Sequence, residues 1–150
     1  MSQTGDNRDK ALSAFVKLQR ASMTMEQLIR EKAHLPADLT MTQFAVLEAL
    51  LHKGRLTHNE IAGKILTTAG NITHVVDQLQ GKGMVDRKRC EQDRRRVYLH
   101  LTERGRLVVN TAFKNVSGVI SDAMAALSEQ EQRELGRLCK KLGTATRYPQ

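Results

Sequence analysis

Apolar side chains recur along this chain at two spacings, and the change from one to the other marks out its elements. Leu12, Phe15, Val16, Met23 and Leu28 fall near helical spacing, predicting a long first helix over residues 9–32. The stretch "HLPADL" ends it, because Pro36 disfavours helical backbone at Leu35. Thr40-Met-Thr-Gln43 has the form of a capping box and opens a second helix through Phe44, Leu47 and Leu51, stopped by Gly54. A second box, Thr57-His-Asn-Glu60, opens a short helix with Ile61, Ala62, Ile65 and Leu66 as its buried face. Across a tight turn, Thr67 or Thr68 caps another helix carrying Ile72, Val75, Val76 and Leu79, with Gly81 and Gly83 as terminators.

The spacing then shortens to two. Val97, Leu99 and Leu101 alternate with Tyr98 and His100, the pattern of a half-buried strand, and residues 84–89 can pair with it as a hairpin. Helical spacing returns after Thr102, where Leu107, Val108, Val116, Val119, Ile120 and Met124 predict a long helix. Ser128-Glu-Gln-Glu131 is a third capping box, and Leu135, Leu138, Cys139 and Leu142 form the stripe of the last helix.

Composition narrows the possibilities. With 150 residues, 40% of them apolar, the chain suits one subunit with a real core. The formal charge is +8, and residues 87–96 hold six basic and two acidic side chains, so half of the excess sits in one hairpin. A local excess favours a polyanionic partner, nucleic acid before an anionic membrane surface. The opening "MSQTGDNRDK" lacks the apolar core of a signal peptide and no uninterrupted apolar span follows, so a cytoplasmic protein without membrane contact is expected. Cys90 and Cys139 are expected as free thiols, the latter on an apolar stripe that a dimer layer would bury. Five scattered histidines, no nucleophile paired with a base and no zinc-type spacing argue against an enzyme and give no reason to expect a metal or cofactor.

Two short helices across a turn, followed at once by a basic hairpin, is the element order of a winged helix-turn-helix. The expected fold is therefore mainly α with a small β-hairpin wing, an α+β arrangement whose partner is double-stranded DNA. The second short helix would enter the major groove with Thr68, Gly70, Asn71, Thr73 and His74 nearest the base edges and Gln78 further along. The wing would bring Arg87, Lys88, Arg89, Arg94, Arg95 and Arg96 to the phosphates or a minor groove, with Asp93 orienting a neighbouring arginine. The bland alternatives are a solvated charge run and ordinary helix-surface polarity. A non-specific basic adaptor is the competing function.

"DRRRVYLHLTERG", residues 93–105, resembles the wing signature of the MarR family of bacterial transcriptional regulators. "LTHNEIAGKILTTAGNITHVVDQLQGKGMVDR" is similar to that family's helix-turn-helix. The likeness implies a homodimer in which residues 9–34 and 103–146 form the dimer layer while residues 40–102 form the DNA-binding module, on a pseudo-palindromic operator. It also implies repression relieved by a small aromatic, phenolic or quinone-like effector. Met23, Met25, Met41 and Phe44 could line such an effector's pocket, against the alternative that they fill core. Where the family's wing often carries a Pro/Asp-rich turn, this chain has Arg89-Cys90-Glu91-Gln92, and Cys90 among basic neighbours is a candidate redox or electrophile sensor.

Overall fold

A computed structural model of the chain describes residues 3–65 and 69–147. The elements run α1 (Gln3–Lys32), a 3-10 turn (Pro36–Asp38), α2 (Met41–Lys53), β1 (Arg55–Leu56), α3 (His58–Lys64), α4 (Ala69–Gly81), β2 (Val85–Arg89), β3 (Val97–Leu101), α5 (Glu103–Met124) and α6 (Glu129–Arg147). Two compact units emerge, one of residues 27–117 and one of residues 1–26 with 118–150.

Each predicted capping box forms in full. In α2 the Thr40 hydroxyl accepts from the Gln43 N–H while the Gln43 side chain accepts from the Thr40 N–H. Thr57 and Glu60 do the same for α3, as do Ser128 and Glu131 for α6. Each box satisfies two of the backbone donors that a helix start leaves without an intrahelical partner, and losing such a cap typically costs about 1 kcal/mol. Thr102 caps α5, accepting from the Gly105 N–H at 2.9 Å. The first helix begins at Gln3, earlier than its apolar spacing predicts.

The central unit holds the core. Leu47 and Leu50 of α2, Ile61 of α3, Ile72 and Leu79 of α4, and Met84 and Leu99 of the hairpin are wholly buried. Each side chain of that size contributes about 1.5–3 kcal/mol by leaving water. The hairpin is one strand short of the observed sheet. Arg55 and Leu56, which alternation cannot flag in two residues, pair antiparallel with His100 and Leu99, giving the order β1-β3-β2. The buried face of α5 also departs from expectation. Gly105, Val109, Ala112 and Val116 are buried, whereas Leu107 is 66% exposed. Val116 belongs to the expected stripe, but Gly105 and Ala112 do not: small residues let the helix lie close to its neighbours without registering as large apolar side chains.

The passage from α4 into β2 is tightly determined. Gly83 adopts φ +68°, its N–H donates to the Gln80 carbonyl, and the Met84 N–H donates to the Leu79 carbonyl. This is a Schellman ending, which needs the left-handed conformation that glycine adopts without strain. The Met84 carbonyl then accepts from the Thr102 N–H at 3.1 Å, and α5 passes so near it that a Cβ on Gly105 would stand 2.0 Å from that oxygen.

In the unit of terminal helices, Leu12, Phe15 and Met23 on α1 and Leu135, Leu138 and Leu142 on α6 are exposed in the single chain. Cys139 is exposed as well.

Candidate nucleic-acid interface

The wing follows from the pleat of β2 and β3. Direct partners in an antiparallel pair share a face, so Arg87 opposite buried Leu99 and Arg89 opposite Val97 lie on the helix-facing side. Asp86 and Lys88, opposite His100 and Tyr98, lie on the other. The basic residues therefore divide between two faces. Counting charges along the chain could not have separated them.

Arg87 is committed internally. Its guanidinium pairs with the Asp77 carboxylate and donates to Gln80 Oε1 at 2.9 Å, so it clamps β2 onto α4. At the tip, the Cys90 N–H donates to the Arg96 carbonyl and the Arg96 N–H to the Asp93 carbonyl, each at 2.9 Å. The Asp93 carboxylate accepts from the Arg95 backbone N–H at 3.0 Å. Asp93 thus shapes the turn through the backbone, and its negative charge also acts on Arg96, which hydrogen-bonds Tyr98; Arg94, Arg95 and Arg96 are exposed. Cys90 is half-buried beside Lys88 and Arg89, along a cleft of about 360 Å³ that Tyr98 and His100 also line.

Between the tip and the helices lies a larger cleft of about 830 Å³. The N-terminus of α3 (Thr57, His58, Asn59, Glu60), Thr73 and Asp77 of α4, and Arg87, Arg95 and Arg96 of the wing line it. Glu60 is held below the usual carboxylate range, chiefly by the N–H of Thr57. The exposed residues of α4 include Gly70, Asn71, Thr73, His74 and Gln78. Gln78 is not simply solvated: its Oε1 accepts from Gln43 at 3.0 Å, and its Nε2 lies 3.2 Å from His74 Nε2. Thr68 and the predicted cap of α4 lie outside the described residues. Met23, exposed, and Met25, half-buried, belong to the unit of terminal helices. Met41, half-buried, and Phe44, 7% exposed within the core, belong to the other unit.

Burial first, then Arg87, pulls His58 below its ordinary value of 6.5, against an opposing pull from Asp77. Burial, Lys88 and Arg55 do the same to His100, with Asp86 opposing. Both rings resist protonation in the folded chain more than in the unfolded one. Between 6.5 and the lowered folded values the unfolded state binds more protons, so stability rises with pH there and is lost on acidification. Urea unfolding should show a lower midpoint at about pH 5.5 than at about pH 7.5, and replacing both histidines with Gln should shrink that difference.

Two short helices packed on each other and a three-stranded sheet with an arginine-tipped hairpin define a winged helix-turn-helix, a class of DNA-binding proteins. Residues 39–97 match the model of the MarR family. The chain is 35% identical over 135 residues to the HTH-type transcriptional regulator MhqR of Bacillus subtilis (strain 168), covering 90% of this chain and 92% of that one. It belongs to the MarR family of DNA-binding transcriptional regulators. Among solved structures, PcaV of Streptomyces coelicolor, in complex with its natural ligand, is similar at 25% identity and a TM-score of 0.74, over 86% of this chain and 90% of that one. A MarR variant from E. coli complexed with operator DNA has a TM-score of 0.78 at 24% identity, over 89% and 96% of the two chains.

Proposed function

We propose that the chain acts as a homodimeric repressor that holds a pseudo-palindromic operator and releases it when a small aromatic, phenolic or quinone-like molecule binds. The observation that carries the DNA part is the cleft that opens between the exposed face of α4 and the arginines of the wing tip. In this reading Arg94, Arg95 and Arg96 lie at the phosphates or minor groove and Asn71, Thr73 and His74 toward the base edges. Gly70 admits close backbone approach. Lys88 and Arg89 add positive field, whereas Arg87 supports the wing from within.

Dimerisation is supported by the bare stripes of α1 and α6, which a second copy would cover. The effector is supported by kinship with PcaV, whose structure holds its natural ligand. Met41 of the central unit is the adaptable side chain proposed to meet it, while Phe44 packs in the core of that unit.

A dimer on two half-sites requires both α4 helices to meet one face of the duplex, about 10 base pairs apart. Inserting about five base pairs between the half-sites should weaken binding by at least about tenfold. Binding indifferent to the insertion in a mobility-shift titration would contradict the dimeric reading.

A further inference from the structure

One polar chain in the central unit runs from the loop before α2 to the surface of α4. Lys82 Nζ donates to the carbonyls of Ala37 at 3.2 Å and Asp38 at 2.9 Å, two residues in the left-handed region at φ 56° and 52°. Its third bond goes to Gln43 Oε1 at 3.3 Å. That same oxygen accepts from the Thr40 N–H at 3.1 Å. Gln43 is 3% exposed, so water does not compete for it.

These contacts fix a direction. Two donors converge on one end of the Gln43 amide, which must therefore be its oxygen. The other end is the NH2, donating to Gln78 Oε1 at 3.0 Å. Gln78 must then present its own NH2 to His74 Nε2, 3.2 Å away. A nitrogen that receives a donated proton carries none itself. The neutral ring is thereby the Nδ1–H tautomer, whose remaining polar group is a donor.

We propose that Gln43 and Gln78 form a relay that sets the tautomer of His74, and that this makes His74 a hydrogen-bond donor in base recognition. The relay stands on the geometry above; its use in DNA rests on the proposed placing of α4 in the major groove. A donor there matches guanine N7 and O6, adenine N7 or thymine O4, and opposes the amino groups of cytosine and adenine. Gln43 touches no base and acts as a positioning residue for specificity.

Two substitutions should reverse the relay. In Gln43→Glu one carboxylate oxygen still accepts from Thr40 and Lys82, and the capping box keeps an acidic partner of the usual kind. The other oxygen now faces Gln78, whose amide turns over to donate to it and offers an oxygen to His74. Nε2 must then carry the proton. Gln78→Glu, on the helix surface, reaches the same state by accepting from both neighbours, and it serves should the buried change unfold the chain.

The test is long-range proton–nitrogen NMR of the labelled full chain at about pH 8.5, two units above the ordinary imidazole value, with a His74→Asn variant for assignment. Nδ1–H in the wild type and Nε2–H in either folded variant is the expected result. Nε2–H in the wild type, or the same tautomer in all proteins, overturns the relay. Each protein is then titrated with operator duplexes substituted singly at every position. At one position of each half-site, preference should move by about fivefold from an acceptor base toward cytosine or adenine. Reversal of the tautomer with base preference unmoved would overturn the recognition role of His74, and would locate the failure in the placing of α4 rather than in the relay.

Discussion

Replacing Gly105 with alanine should destabilise the winged unit by about 3 kcal/mol or more, a large share of the stability a domain of this size holds. The added carbon would stand 2.0 Å from the Met84 carbonyl oxygen and 2.9 Å from the carbonyl carbon. A flexible side chain could swing away, but this is backbone held at both ends. The Met84 N–H is bound in the Schellman ending of α4, and its carbonyl is bound by the Thr102 N–H. Relief requires either α5 to back away, opening a void beside wholly buried Val109 and Ala112, or β2 to shift off α4 and strain the Arg87 clamp. Both routes displace the wing. Urea titration followed by circular dichroism should show the loss directly, and a midpoint within error of the parent would mean that this helix contact is looser than described.

Removing the wing tip should leave the fold intact and strip away much of the affinity. Arg94 and Arg95 are exposed, and the turn that presents them is made by backbone groups and the Asp93 carboxylate. Alanine at both positions therefore keeps the turn. If each arginine neutralises one phosphate, a dimer loses four contacts, and the slope of log affinity against log salt should shallow by about 3 to 4. At near-physiological salt that corresponds to about a hundredfold weaker binding or more, shared by operator and non-operator duplexes alike. An unchanged slope would remove the tip from the interface.

The contrast between Arg87 and these two shows where sequence patterns suffice and where they stop. Capping boxes are local, three residues from hydroxyl to acid or amide, and all three formed as read. Alternation through residues 97–101 named the central strand for the same reason. The role of Arg87 depends on Asp77 and Gln80, which only the fold brings to it. Strand β1 is two residues long and owes its existence to β3, more than forty positions away. Gln43 could be read as a cap, yet its bonds to Gln78 and Lys82 span 35 and 39 positions and carry no local periodicity. Part of the close face of α5 was missed because Gly105 and Ala112 do not register as large apolar signals, whereas Val116 on the same face did.

The decisive measurement is an anisotropy titration of a labelled duplex from the gene's own upstream region against a scrambled duplex of equal length, at one near-physiological salt concentration. A regulator that reads bases through α4 and phosphates through its wing should prefer the native duplex by about a thousandfold or more. Equal, steeply salt-dependent binding to both, persisting across overlapping upstream fragments, would contradict base reading and leave a basic protein that grips any duplex.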